Sequence, residues 1–417
     1  MTSRETSSVF SVLKNRDYRR LWLADVVSDA GSFITFIALA VYVHDLTGEA
    51  LAVGFAVGLR AIPWLTLGPI GGVIADRFDR RLMMVICDVA RAALVALLPF
   101  TDTVGQAYAI SFASGLFGPV FRPARRALIP TVVPGEQFVQ AVALGEVTHQ
   151  VMHTIGPALG GLAVLAVGAQ NAFFLDAGTF LVSAAFVIGL GVRGSVRGRP
   201  SGMADVRRDL AEGGRLLFGD RLLRSIVLFD SVVLFGYAGT FAAMIVYVRE
   251  SLGRGAGTYG VLLGASGFGT ALGAYLLARR GRRVRRGPAL GAAALGSAAL
   301  GFLALRPGFA PLMVLMFLVG ASFSGTVLYV ETTVAERVPD QARGRVFGLM
   351  AAIAELFDLA GAVGVAAMAG AIGAGPGIAV GGAIAAGLGL AVLAPATRAL
   401  RQDDAERDAA ERDAATG

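Results

Sequence analysis

The sequence predicts an all-α membrane protein: twelve transmembrane helices in two pseudo-symmetric halves of six, with both termini in the cytoplasm. Three observations carry this expectation. The 417 residues are 55% hydrophobic and only 16% charged, with a mean hydropathy of +0.67, a balance that suits lipid rather than water as solvent. Apolar runs of roughly twenty residues, the length that spans a bilayer core as a helix, recur along the chain. The basic residues alternate in side: of 37 Lys and Arg, all but Arg60, Arg91, Arg249, Arg254 and Arg306 fall in segments that an N-inside arrangement puts in the cytoplasm, as the positive-inside rule requires.

Taken in order, residues 1–20 are a polar, basic cytoplasmic segment that leads into the first span without a short cleavable apolar region, so the first span is expected to serve as the insertion signal. The N-terminal half, 21–192, holds apolar runs near 21–43, 50–74, 82–100, 106–121, 138–167 and 171–192. A cytoplasmic linker, 193–224, follows; its Leu210, Leu216 and Leu217 among arginines suggest an amphipathic surface helix. The C-terminal half, 225–396, holds runs near 225–248, 257–278, 288–305, 309–335, 347–371 and 374–396. Residues 397–417 alternate charge without apolar periodicity and read as a disordered cytoplasmic tail. IPTVVPGEQFVQA between spans four and five echoes AERVPDQARGRVFGL between spans ten and eleven, as an internal duplication would.

Several functions are excluded by type of residue. The single cysteine, Cys87, lies in an apolar run and supports neither a disulfide nor a Cys-based metal site. The net charge of +7 reflects arginines in short loops, so topology rather than nucleic acid accounts for it. The sequence has no nucleophile elbow, zinc-protease pair, Walker A loop or CxxC site, which points away from an enzyme, an ATP-driven pump and any cofactor.

At the cytoplasmic end of the second span the chain reads Gly72-Val-Ile-Ala-Asp76-Arg77-Phe-Asp79-Arg80-Arg81. This resembles the G-x-x-x-D-R-x-G-R-R loop of the major facilitator superfamily, with Asp79 where the pattern has glycine. The glycine lets helices approach, and the aspartate at a helix end binds N–H groups or an arginine; the resemblance implies a conformational latch of Gly72, Asp76, Arg77, Arg80 and Arg81. NRDYRRLW at 15–22, FRPARRALIP at 121–130, GPALGG at 156–161 and GRVFG at 344–348 are similar to the macrolide-efflux and siderophore (enterobactin)-exporter branch. GPALGG, with Gly156, Pro157, Gly160 and Gly161, is similar to the antiporter motif of drug exporters, a helix bend by resemblance and by backbone chemistry; simple helix packing competes with that reading. Two departures stand out. The fourth span, ending at 121, lacks the arginine that many proton-coupled exporters carry, and the corresponding second-half loop, ARRGRR at 278–283, lacks the aspartate.

Ionisable side chains within spans cost about 2.5–3.5 kcal/mol on insertion scales, so they face a cavity, pair or titrate. Asp25 and Asp29 sit one turn apart in the first span, and Asp88 and Arg91 are spaced to pair in the third. Arg60, mid-depth in the second span without a local acid, has Asp29 as its expected partner. Glu146, His149 and His153 share one face of the fifth span, suited to relaying protons or binding a cation, with helix–helix hydrogen bonding the competing reading. They supply too few ligands for a metal. Asp176 in the sixth span reads as a packing residue. In the second half stand Asp230, Glu331, Glu355 and Asp358; Asp358 is deep enough to alternate between protonated and substrate-bound forms.

The resemblance and these acids imply a secondary transporter in the cell (inner/plasma) membrane. It would export a small amphiphilic or cationic molecule against proton influx by alternating access, through a cavity lined by Phe, Met and Leu. Its partners would be the substrate, protons and membrane lipids, and it would work as a monomer. An importer or a lipid flippase of the same fold is the alternative.

Overall fold

The computed structural model describes residues 9–68, 78–191, 203–280 and 286–394. Gly72, Asp76 and Arg77 of the signature loop, the first linker residues and the 397–417 tail lie outside them. The described helices are α1 (Arg16–Thr47), α2 (Ala50–Gly58), α3 (Arg80–Leu97), α4 (Val104–Gly115), α5 (Gly118–Val132), α6 (Phe138–Ile188), α7 (Met203–Gly219), α8 (Arg221–Val246), α9 (Ala256–Arg280), α10 (Arg286–Ala299), α11 (Phe309–Arg337), α12 (Asp340–Ile372) and α13 (Ala374–Leu393). Among the described residues, nine helices are long and apolar enough to cross a membrane, and Leu290–Leu305 is a shorter apolar one. Lipid offers a backbone no hydrogen-bond partner, so helices, which satisfy their own N–H and C=O groups, are the form these segments take.

The fifth and sixth expected spans run as a single α6 interrupted at Gly168, whose φ of 80° and ψ of 162° are open to glycine but strained for other residues. Backbone geometry stays helical through Pro157, so the chain breaks at Gly168 rather than in the GPALGG stretch. The larger departure is in the fourth span. It does not end at 121: after an interruption at Leu116–Phe117, α5 continues to Val132. Phe121, Ala124, Leu128 and Val132 are buried on one side of α5, a helical period that carries the helix past the end of the apolar run. Arg122, Arg125 and Arg126, expected in a cytoplasmic loop, are therefore helical.

Two compact units emerge: unit 1 is Met1–Thr47 with Ile62–Met203, and unit 2 is Gly48–Ala61 with Ala204–Gly417. In unit 1, α1 lies along α6 at very short range. A Cβ on Gly160 would fall 2.6 Å from the Phe33 carbonyl oxygen, and one on Gly31 would fall 1.9 Å from Thr179 Oγ1. Small residues at such crossings are how membrane helices gain packing when lipid supplies no hydrophobic drive. Asp88 takes Arg91 at 2.5 Å and Ser183 Oγ at 2.7 Å, and the Arg91 guanidinium lies against the rings of Phe121 and Phe180. Asp176 is buried, with Thr179 Oγ1 donating to its carboxylate at 3.0 Å. Asp79, the departure from the family loop, caps α3 by accepting from the Leu82 N–H at 2.9 Å, a role glycine has no side chain to play.

In unit 2, α8 packs against α12 and α13, and α9 crosses α11 where a Cβ on Gly320 would fall 1.8 Å from the Ser266 carbonyl oxygen. The linker helix α7 is amphipathic as expected, but its apolar side meets protein. Leu217 is fully buried with Leu222, Leu223, Val334, Val338 and Val346, Leu216 packs against that cluster, and Glu212 pairs with Arg345 at 2.7 Å. The Leu210 side chain lies outside the description.

The sequence echo has a structural counterpart in each unit. Asn15 caps α1 through the Asp17 and Tyr18 N–H groups and donates its amide to the Val132 carbonyl, where α5 ends. Asp220 caps α8 through the Leu222 and Leu223 N–H groups and takes Arg337, where α11 ends. The two ties span the same 117 residues.

Candidate functional site: an acid, histidine and arginine cluster

Unit 1 gathers the first-half candidates around α5. Asp25, buried on α1, accepts from Arg125 Nη1 at 2.8 Å, and both side chains are nearly enclosed. One turn on, Asp29 Oδ2 meets His149 Nδ1 of α6 at 3.1 Å. Arg122 lies against the same ring, its Nη2 2.8 Å from Nε2 and 3.3 Å from Nδ1. Arg122 also sits over the Trp64 ring, 5.2 Å from its centre. His153 stacks edge-on against His149 at 4.4 Å and against Phe33 at 5.1 Å. Neighbouring charges of opposite sign thus offset the cost of burying each one.

Glu146 is joined to this group only at its edge. It pairs with Arg126 at 3.0 Å, but both side chains are more than half exposed, so the pair is solvent-screened and contributes about 0–1 kcal/mol. Arg60 falls in unit 2, and the acid on which it acts is Asp358 of α12. The expected Arg60–Asp29 pairing is thereby replaced: Asp29 is held by His149. Asp230 on α8 and Glu355 on α12 are part-buried in unit 2. The Glu331 side chain is outside the description.

The motif residues that are described act inside unit 1. Arg80 is buried and donates to the Ala127 carbonyl at 3.1 Å, while Arg81 donates to the Val187 carbonyl at 3.1 Å and to that of Ile188. A cation on the last carbonyls of α6 complements the negative end of that helix. Gly156 and Gly160 seat the Phe33 ring and backbone of α1, and Gly161 is buried beside them. Close packing is thus what this stretch does, with Pro157 accommodated in the helix.

Arg122, Arg125 and Trp64 were not among the sequence candidates. A span read from hydropathy stops at the first arginine. The signal that reaches further is the period: Phe121, Ala124 and Leu128 recur on one face, with Arg122 and Arg126 away from it and Arg125 at its edge.

The model of the Major Facilitator Superfamily matches residues 21–362. The chain belongs to that superfamily. This major facilitator is a multi-pass membrane transporter by family. It is 26% identical over 368 residues to the uncharacterised MFS-type transporter YfiS of Bacillus subtilis, covering 85% of this chain and 87% of that one. It is 26% identical over 346 residues to the multidrug efflux pump Tap of Mycolicibacterium fortuitum, covering 79% and 84%. A shorter match, 26% over 147 residues and 34% of this chain, is to macrolide efflux protein A of Streptococcus pyogenes, 36% of which it covers. Among solved structures, a bacterial homologue of the lysosomal transporter Spinster, inward-facing and unoccupied, superposes with a TM-score of 0.70 at 13% identity, over 97% of this chain and 98% of that one. The nucleoside transporter NupG gives 0.67 at 13% identity over 91% and 98%. At such identities the structures attest the fold.

Proposed function

We propose that this major facilitator exports a small cationic or amphiphilic molecule across the inner membrane in exchange for protons, by alternating access of two six-helix halves with both termini cytoplasmic. The observation that carries the proposal is the arrangement of buried and part-buried charges within each unit. In unit 1, acids are matched with arginines around an imidazole, Asp25 with Arg125 and Asp29 with His149 and Arg122. A group that takes and releases a proton among compensated charges is what proton coupling needs. In unit 2, Asp230, Glu355 and Asp358 lie within the expected spans and Arg60 acts electrostatically on Asp358; a group of carboxylates of this kind suits a cationic substrate. The efflux names of two relatives support the direction. The signature loop from Gly72 to Arg81 serves as the cytoplasmic latch of the cycle.

The test is lumenal pH in proteoliposomes challenged with lipophilic cations, macrolides and siderophores. Proton movement that only certain compounds elicit establishes exchange and begins to name the substrate. Transport without proton movement overturns the coupling, and absence of flux with every compound class overturns the substrate assignment.

A further inference from the structure

In unit 2, α8 is covered by protein over most of its surface and is open along one face. Asp230, Leu234, Tyr237 and Phe241 are part-buried, and their spacing of i, i+4, i+7 and i+11 puts them together on that face. The positions between them are buried, except Phe235, which lies over Gly364. An acid faces hydrocarbon only at a cost, so a face that carries Asp230 turns toward protein or a cavity rather than lipid. Its aromatic part is extended by α11. The Tyr237 and Phe323 rings are stacked, their planes 8° apart and their centres 4.8 Å apart, and Phe241 leans on Tyr237 at 4.7 Å.

Two features separate this stack from ordinary packing. Counted from the caps Asn15 and Asp220, Tyr237 and Phe323 stand where unit 1 has Ser32 and Gly118, so the shared frame does not itself require rings there. The rings are also held without being enclosed. The Tyr237 hydroxyl shares a hydrogen bond with Ser266 Oγ of α9 at 3.0 Å, which fixes the direction of its ring, and Phe323 packs against the apolar cluster that contains Val330 and Val334. Yet both rings border a small cavity whose other walls include Ser297, Leu300 and Ser322. A preorganised aromatic surface with room beside it is what a site for a flat ligand offers, because little side-chain freedom is lost on binding.

We propose that the Tyr237–Phe323 stack, with Phe241 beside it, binds a flat aromatic ring system of the transported molecule. Aromatic rings pair in offset, nearly parallel layers, and a third layer takes the arrangement that the first two already hold. Selectivity follows from shape. A planar fused-ring cation gains the stacking, whereas a saturated cation of the same charge and similar size gains none, and the aliphatic ring of a macrolide is disfavoured at this place. Tyr237 and Phe323 thereby select among the cationic and amphiphilic molecules of the proposed function. That the bound molecule is carried across the membrane rests on the proposed export; the stacking itself does not.

The test measures binding of N-methylacridinium, a flat fused-ring cation, to the full-length protein in lipid nanodiscs, with no gradient and with empty nanodiscs as the blank. Wild type is expected to bind it saturably and about fivefold more tightly than its saturated counterpart, N,N-dimethylperhydroacridinium, read by competition. Equal affinities, or no saturable binding of the acridinium, overturn the proposal without recourse to a variant. Phe323→Leu keeps an apolar side chain and removes the ring; it is expected to abolish the preference while affinity for the saturated compound stays at the wild-type value, which also reports a folded protein. Tyr237→Phe keeps the ring and removes only the hydroxyl, and is expected to retain the preference. A preference that survives Phe323→Leu overturns the stack as its source. If the preference is found and proteoliposomes show no substrate-driven proton movement, the site stands and the exchange reading fails. If flat and saturated cations drive exchange equally well, the exchange stands and the stack does not select its substrate.

Discussion

The two units share a frame and differ in what the frame holds. Asn15 and Asp220 each cap the first helix of their unit and tie it to the end of its fourth, across the same 117 residues. Asp25 and Asp230 stand equally far beyond those caps. There the likeness ends. Counting from the same caps, Arg122 and Arg125 of α5 correspond to Val327 and Val330 of α11; counting from Pro134 and Pro339, His149 and His153 correspond to Ala354 and Asp358. Unit 1 has charge balance and an imidazole where unit 2 has an apolar face and a carboxylate. Positions that end and cap helices repeat because backbone geometry demands it in both units. The membrane-level positions are free to diverge, and one repeat can specialise in protons while the other specialises in substrate.

The largest expected effect is structural and confined to unit 1. Replacing Asp88 with alanine strands Arg91 between Phe121 and Phe180, and removing one partner of a buried pair costs about 3–5 kcal/mol. Thermal unfolding of the detergent-solubilised protein should show it as a large drop in midpoint; an unchanged midpoint would mean that the pair is not buried. Asp25→Asn, which leaves Arg125 without its carboxylate, should lie in the same class.

A functional contrast follows. Asp358→Asn should weaken recognition of lipophilic cations, raising KM, while proton flux with an uncharged substrate persists. His149→Ala, which installs the unit 2 residue in unit 1, should do the reverse. Equal effects of both variants on coupling would dissolve the division of labour.

The caps provide a smaller effect. Burial raises the Asp220 carboxyl, but the hydrogen bonds from Leu223 and Leu222 and the Arg337 guanidinium outweigh this and hold it below the ordinary carboxylate range. A depressed value in the folded state means that the stabilisation is complete above the ordinary carboxylate value, about 3.9, and is lost as pH falls through the folded one. Asn15 does not titrate, so acid should loosen the cap of unit 2 before that of unit 1. Asp220→Asn keeps the cap and removes only a half-exposed ion pair, so it should cost no more than about 1 kcal/mol, whereas Asp220→Ala adds about 1 kcal/mol for the lost cap. Amide hydrogen exchange at Leu222 and Leu223 reads both. Least of all, Glu146→Gln should leave stability and flux near wild type because its pair with Arg126 is exposed.

Much of this was legible in the sequence. Apolar runs place α3, α8, α9 and α13 to within a few residues and find α1 and α12 with their first turns missed, because length and hydropathy determine what lipid will accept. The Asp88–Arg91 pair follows from spacing alone. What stayed hidden depends on tertiary partners. Hydropathy ends the fourth span before Arg122 because it counts a paired arginine as a bare one, and only Asp25, Asp29 and His149 show why α5 tolerates it. Arg60 acts electrostatically on Asp358 because residues 48–61 fold with unit 2, a grouping that no local pattern announces. The linker helix has the amphipathic pattern of a lipid-surface helix, and its buried Leu217 finds a protein core instead.

The most direct test of the account is lumenal pH in proteoliposomes that hold wild type, His149→Gln or Asp358→Asn, challenged with a lipophilic cation. Substrate-driven proton movement should vanish in His149→Gln and, in Asp358→Asn, should return at raised substrate concentration. Undiminished proton movement in His149→Gln, or its loss in Asp358→Asn at every concentration, would contradict the assignment of proton chemistry to unit 1.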